Sequence, residues 1–127
     1  MNVMTVAIIP ARGGSKRLPR KNILPILGSP LIEYPIYASI KSGLFKSVIV
    51  STEDDKIAQI AQSAGAQVIM RPRELCEDTS TVVQVCTHVL NFLERIDQVP
   101  DYFCCVYATA IFLTPDDIRK SFDLLKQ

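Results

Sequence analysis

Apolar residues fall along this chain in two alternating rhythms. Unbroken runs rich in β-branched residues, such as "MTVAII" at 4–9 and "SVIVS" at 47–51, give way to longer stretches in which apolar side chains recur every three or four positions. An unbroken run predicts a strand covered on both faces, and the slower rhythm predicts an amphipathic helix. Strands are predicted over 4–9, 47–51, 68–70 and 102–107. Between them, Ser29 and Pro30 read as the cap and first turn of a helix carrying Leu31, Ile32, Tyr34, Ile36, Tyr37 and Ile40 to a stop at Gly43, with Pro35 disturbing its early part. A second helix over 53–64 opens on Glu53, Asp54 and Asp55, which complement its dipole, and ends before Gly65. Val82, Val85, Cys86, Val89, Leu90, Leu93 and Ile96 mark a third. Thr114, Pro115, Asp116 and Asp117 open a fourth with a cap, a first-turn proline and two carboxylates.

Strand and helix alternating four times predict an α/β fold, a doubly wound three-layer α/β/α sandwich around a parallel sheet. Ligands of such sheets bind outside the carboxyl ends of the strands. Here those ends are residues 10–22, 51–55, 71–81 and 107–114, and the chain's unusual residues gather in the same places.

Length and composition narrow the picture. With 127 residues, 48% hydrophobic and 21% charged, the chain has material for one globular domain over 1–127 and shows no internal repeat or linker. A formal net charge of +1 argues against a nonspecific nucleic-acid binder, so no nucleic-acid partner is expected. No stretch is long and apolar enough to cross a bilayer, and no basic flank precedes the first apolar run, so a soluble cytoplasmic protein without a membrane partner is expected. Cys76, Cys86, Cys104 and Cys105 lack the spacing of a zinc site and read as reduced thiols. Cys104 and Cys105 are adjacent on a strand and so point to opposite faces.

Positive charge is local. Residues 9–22, "IPARGGSKRLPRKN", set two glycines and a serine among five cations directly behind a buried strand. Gly13 and Gly14 permit a loop whose N–H groups turn inward around phosphate oxygens, Ser15 adds a donor, and Arg12, Lys16, Arg17, Arg20 and Lys21 add charge. The spacing matches neither GxxxxGK[ST] nor GxGxxG, so the P-loop and dinucleotide readings lose their main support. Taken alone, glycines with basic residues also describe an ordinary solvated turn.

Three segments together carry a resemblance. "IIPARGGSKRLPRKN", "VIVSTEDDKIAQIAQSAGAQVIMRP" and "RELCEDTSTV" resemble the N-terminal half of the cytidylyltransferases that activate nonulosonic acids. "YFCCVYATAIFLTPDDI" is most similar to the pseudaminic acid branch of that family. The resemblance implies the Rossmann-like nucleotidyltransferase fold and a reaction in which CTP and a nonulosonic acid give a CMP-sugar and pyrophosphate. Pseudaminic acid is the preferred sugar acid, then N-acetylneuraminic acid. By the same resemblance the loop residues Ala11, Arg12, Gly13, Gly14, Ser15, Lys16, Lys21 and Asn22 bind the nucleotide, and Lys21 with Arg12 carries catalysis, Lys21 lying nearest the α-phosphate. Asn22 either fixes the loop or touches the nucleotide, while Arg17 and Arg20 are equally well read as solvated side chains. Arg71, Asp78, Thr79 and Thr81 contact base and ribose, although the same hydroxyls and carboxylate also suit the cap of the third helix. Tyr107 and Thr109 meet the sugar acid. Val82 and Ile111 depart from the usual family pattern.

Family members continue well beyond the pattern present here, with further strands, a dimerisation element and an aspartate pair that holds magnesium. A Mg2+ cofactor is therefore implied without ligands in this chain, and a homodimer is implied for the full-length family. The acidic pairs at Asp54, Asp55 and at Asp116, Asp117 open helices and need no metal to explain them. His88 reads as a helix-edge residue. Two other readings stay open: a noncatalytic CTP-binding module or remnant of such an enzyme, and a relative of 3-deoxy-manno-octulosonate cytidylyltransferases.

Overall fold

The computed structural model describes residues 3–14, 20–76 and 80–126. In chain order these form β1 (Thr5–Pro10), a small hairpin of β2 (Pro25–Ile26) and β3 (Ser29–Pro30), α1 (Glu33–Lys41), β4 (Ser47–Thr52), α2 (Asp55–Ser63), β5 (Gln67–Met70), α3 (Val82–Arg95), β6 (Tyr102–Cys105) and α4 (Pro115–Leu125). The main sheet runs in the order β5-β4-β1-β6, with every pair parallel. After β1 the chain steps outward through β4 and β5, then crosses to place β6 on the other side of β1. That reversal puts the topological switch point between β1 and β6.

Alternation along the strands sorts the core into two layers. Ala7, Ile9, Val48 and Val50 face Ile32 and Ile36 at α1 and Ile57 and Ala61 of α2, whereas Val6, Ile8, Ile49 and Ile69 face Cys86, Val89 and Leu93 of α3. β1 is buried on both sides, which explains why it reads as a continuous apolar run. Burying one isoleucine of this kind contributes about 1.5–3 kcal/mol, enough for packing to hold the valine-rich α3 against its modest helix propensity. Cys104 packs into the first layer and Cys105 into the second, as their adjacency predicts.

Helix starts follow the cap chemistry in three cases. Asp54 caps α2 by accepting from Lys56 N at 2.8 Å and Ile57 N at 3.1 Å. Thr81 with Gln84 and Thr114 with Asp117 form reciprocal capping boxes for α3 and α4. The expected start of the first helix is corrected, because Ser29 and Pro30 form β3 and α1 begins at Glu33. Pro35 consequently lies in the first turn of α1, where its missing N–H is not needed, and the expected disturbance does not arise. Glu53 is likewise outside α2 rather than part of its acidic start.

Leu27 and Gly28 turn the β2–β3 hairpin with φ of 51° and 88°. Positive φ at both central positions is the two-residue hairpin geometry that asparagine followed by glycine satisfies best. A leucine in the left-handed region costs about 1–2 kcal/mol, and Leu27 is 93% exposed, so burial offsets none of it. Leu27→Asn is expected to raise stability by about 1 kcal/mol, seen as a melting temperature roughly 4 °C higher. An unchanged or lower melting temperature would contradict this account of the turn.

The fourth large strand is shorter than its apolar run. Val106 N still donates to Ile8 O at 2.9 Å, and the next rung of the parallel ladder calls for an N–H from residue 10 to the Val106 carbonyl. Pro10 has no N–H, so β6 ends at Cys105, and Tyr107 and Thr109 lie in the turn beyond it rather than on the strand.

Candidate functional site

Where the β1–β6 ladder stops, the sheet opens into a cleft of about 280 Å³. Pro10 and Arg12 leave β1 on one wall, while Tyr107, Ala108 and Thr109 leave β6 on the other. Lys21 and Asn22 return from the first loop to line it, and Ser80, Thr81, Val82 and Val85 bring in the start of α3. Arg71 approaches from the end of β5. The carboxyl ends of three strands thus supply one concave surface, as switch-point geometry requires.

Three cations and no carboxylate line this cleft among the described residues. Arg12 reaches across to the β5 side, where its Nη1 donates to Cys76 O at 3.3 Å. Lys21 opens a short 3-10 turn over Lys21–Ile23. Asn22 is buried, and its Nδ2 donates to Arg12 O at 3.0 Å while its own carbonyl accepts from Ile32 N at 2.8 Å. It ties the exit of the loop to its entrance, as one of its two sequence readings expects, and it also borders the cleft. Ala11, by contrast, places its methyl in the core and gives its N–H to Ser51 O at 2.9 Å.

Arg71 is only 7% exposed and spends its fork on the protein. Its Nη2 donates to Ser51 O at 3.0 Å, its Nε to Ser51 Oγ at 3.3 Å and its Nη1 to Leu75 O at 3.4 Å. Burial pulls its pKa down and Glu53 opposes that pull, yet a guanidinium stays charged at neutral pH. It therefore gives the cleft a fixed positive wall while bracing β5 against β4.

Gly13 and Gly14 do not line that cleft. They border a second cavity with Arg20, Glu53, Asp54 and Cys76. The Gly13 N–H donates to Glu53 Oε1, and Arg20 Nε donates to Asp54 Oδ2 at 2.9 Å. Burial pushes the Asp54 carboxyl up, but the bond from Arg20 and the two amides of α2 outweigh it and hold the group below its ordinary value. Sequence reasoning assigned these carboxylates to the helix dipole and gave no sign that Glu53 meets the loop.

Thr81 accepts from Gln84 N at 3.1 Å as the α3 cap, leaving its hydroxyl proton available to the cleft. Capping and lining coincide in this residue. Tyr107 is 64% exposed and Thr109 lies in the same turn, both on the cleft's β6 wall. Ser15, Lys16, Asp78 and Thr79 fall outside the described residues, as does Arg17. Ser80, within the 78–81 run that the resemblance sets against base and ribose, and Val82, noted as a departure from the family pattern, line the cleft, while Pro10, Val85 and Ala108 line it without having been given a ligand role. Their only trace in the sequence is position, at a strand end or in the first turn of a helix.

The remaining titratable groups are structural. Burial first, and Glu53 next, push the Cys76 thiol up, which disfavours the nucleophilic thiolate. Cys86 and Cys105 are hydrogen-bonded to each other between α3 and β6, with Cys105 driven far up by that contact and by burial. All four cysteines are free thiols. Burial and the nearby Arg95 and Arg71 pull His88 down, so it is neutral at neutral pH. Among the described residues no group of three or more His, Cys, Asp or Glu side chains is arranged to hold a metal, and Glu53 and Asp54 of the neighbouring cavity are engaged with Gly13, Arg20 and α2. These residues alone do not fit a magnesium site. No helix among the described residues is long and apolar enough to cross a membrane.

Known proteins resemble this chain in sequence and in fold. A family model described as cytidylyltransferase matches residues 6–127. The chain is 40% identical over 119 residues to a pseudaminic acid cytidylyltransferase of Campylobacter jejuni, covering 93% of this chain and 51% of that protein. It is 36% identical over 122 residues to a CMP-N,N'-diacetyllegionaminic acid synthase of Legionella pneumophila, covering 95% and 53% respectively. The chain thus spans about half the length of these curated relatives. Among solved structures it superposes on CMP:2-keto-3-deoxy-manno-octonic acid synthetase complexed with CTP at a TM-score of 0.78 and 24% identity, covering 97% of this chain and 47% of that one. That likeness concerns the fold, an α/β nucleotidyltransferase fold around a parallel sheet. With a family match across nearly its whole length, the chain belongs to the cytidylyltransferase family.

Proposed function

We propose that this chain is the nucleotide-binding part of a CTP-dependent cytidylyltransferase acting on a nonulosonic acid, with pseudaminic acid the preferred sugar and N-acetylneuraminic acid next. One observation carries the reading: Arg12, Lys21 and Arg71 converge on a switch-point cleft without a lining carboxylate among the described residues. Such a cleft suits a polyanion. The apolar Pro10, Val82, Val85 and Ala108 beside them suit the flat face of a base. The preference for pseudaminic acid rests on the Campylobacter jejuni relative and on the "YATA" turn at 107–110 that forms the β6 wall.

In the proposed reaction the C2 hydroxyl oxygen of the sugar acid gives its proton to solvent and forms a bond to the α-phosphorus of CTP while the bond to the pyrophosphate oxygen breaks. Negative charge grows on the transferring oxygens and on the leaving group. Arg12 and Lys21, fixed at the two ends of the loop by the Asn22 bridge, meet that charge with little reorganisation. The whole protein is proposed to work in the cytoplasm on CTP and the sugar acid, as a homodimer, without nucleic-acid or membrane partners. A noncatalytic CTP-binding role is the second reading, favoured by the absence of a metal-holding cluster among the described residues.

Titration calorimetry tests the core of the proposal. CTP and CDP are expected to bind the chain at least about tenfold more tightly than CMP, because contacts to added phosphates are charge-assisted and each contributes about 1.5–3 kcal/mol. Equal affinity for the three nucleotides would overturn the assignment of the cleft to a triphosphate.

A further inference from the structure

The first loop leaves the sheet at Gly13 and returns at Arg20, and both ends meet the adjacent pair Glu53 and Asp54, Gly13 touching both and Arg20 touching Asp54. Gly13 gives its N–H to Glu53 Oε1, Arg20 N donates to Gly13 O at 3.0 Å, and the Arg20 guanidinium closes on Asp54 Oδ2 at 2.9 Å. Contact at Gly13 is so close that an added Cβ would sit 2.6 Å from Asp54 Cβ, which leaves glycine as the residue that fits. Asp54 is itself immobilised by capping α2, and Glu53 follows directly on β4. The loop base is therefore bolted to a rigid part of the sheet, beside a cavity distinct from the cationic cleft.

We propose that Glu53 and Asp54 are positioning residues that clamp the base of the phosphate loop, and that Arg20 belongs to the clamp instead of to the phosphate site. The inference rests on the nucleotide reading given above. Its physical reason is orientation: a loop pinned at its base presents Lys21 and the following turn in one arrangement, so the ordering cost is met on folding and not on binding. The charge of Arg20 is offset by Asp54, and Arg20 does not line the cleft. Backbone geometry agrees, since Arg20 adopts φ of 53°, a left-handed conformation that the clamp must hold against its intrinsic cost.

The test uses the 127-residue chain and CTP as the probe. Asp54→Asn keeps a good helix cap while removing the charge that holds Arg20, so its melting temperature is expected within about 2 °C of the parent. CTP affinity should fall about tenfold in Asp54→Asn and in Arg20→Ala, and by no more than the larger single effect in the double variant, because both changes open one clamp. Loss in Arg20→Ala without loss in Asp54→Asn would make Arg20 a phosphate contact and overturn the proposal. Tighter binding in Asp54→Asn would overturn it too, by making the carboxylate a competitor of phosphate. Amide exchange without nucleotide supplies an independent reading: Glu53→Ala should speed exchange at Gly13 N–H at least about tenfold while β1 amides stay protected. Unchanged exchange at Gly13 would remove Glu53 from the clamp. A parent chain that binds no cytidine nucleotide would overturn the nucleotide reading, leaving the exchange measurement to decide whether the clamp exists.

Discussion

Supplied with CTP, magnesium and pseudaminic acid, the 127-residue chain is expected to release pyrophosphate roughly a thousandfold more slowly than a curated relative of twice its length. The cleft supplies cations to a triphosphate, but a cation wall stabilises bound substrate as well as transition state and so gives only part of the rate. Metal assistance typically contributes several kcal/mol, and each 1.4 kcal/mol corresponds to about a tenfold change in rate. The carboxylates best placed to assist have other partners, since Glu53 holds the Gly13 amide and Asp54 holds Arg20 and the first turn of α2. Asp116 and Asp117 are tied to Arg119 and to the α4 cap. A coupled pyrophosphate assay is the check. Release at the rate of a full-length relative would require one or more of Glu53, Asp54, Asp55, Asp116 and Asp117 to bind the metal.

Lys21→Ala is expected to reduce turnover by about 100- to 1000-fold in a catalytically competent polypeptide containing this chain, while the Michaelis constant for CTP changes by less than about tenfold. The asymmetry follows from what Lys21 is proposed to meet. A charge aimed at the α-phosphate gains most when the transferring oxygens carry additional charge, whereas ground-state CTP is also held by the rest of the cleft. Lys21 starts a 3-10 turn whose next residue, Asn22, is buried and bonded to the Arg12 carbonyl, so its main chain is fixed even though its side chain ends in the cleft. Steady-state kinetics with varied CTP separates the two constants. An unchanged turnover with a raised Michaelis constant would move Lys21 to a binding role.

Much of the architecture was readable because its signals are local. β1 betrays itself as a doubly covered strand through an unbroken β-branched run, and Thr114, Pro115 and Asp117 announce α4 through cap chemistry that needs no tertiary partner. Ser29 and Pro30 carry the same local message and belong to a hairpin instead, because Leu27 and Gly28 form the turn without the asparagine that normally marks it. The end of β6 was hidden for a different reason. Nothing in "YFCCVY" stops the strand; the missing donor is on Pro10, nearly a hundred residues away and adjacent only through the sheet.

The candidate site divides along the same line. Arg12, Lys21, Asn22, Arg71, Thr81, Tyr107 and Thr109 were found from residue type and family resemblance, and the structure gathers them around one cleft. Glu53 escaped because its role consists of one contact across the fold to a backbone N–H, a relation that leaves no mark on spacing or composition. Arg71 shows the converse: a charged residue at a strand end invites a ligand role, yet its burial turns most of its donors inward.

The pairing between β1 and β6 also bears on the order in which the molecule assembles. β1 meets β4 across a short stretch of chain, but it meets β6 only after the intervening hundred or so residues have been drawn together; the bond from Met4 N to Asp101 Oδ2 at 2.9 Å spans 97 positions. Loop-closure entropy makes this the most costly junction of the sheet to close. The cleft's two walls stand on opposite sides of that junction, so the site is complete only once this longest-range pairing has formed. A ligand bridging the walls acts on that event directly, holding shut a seam that the unliganded chain must close by itself.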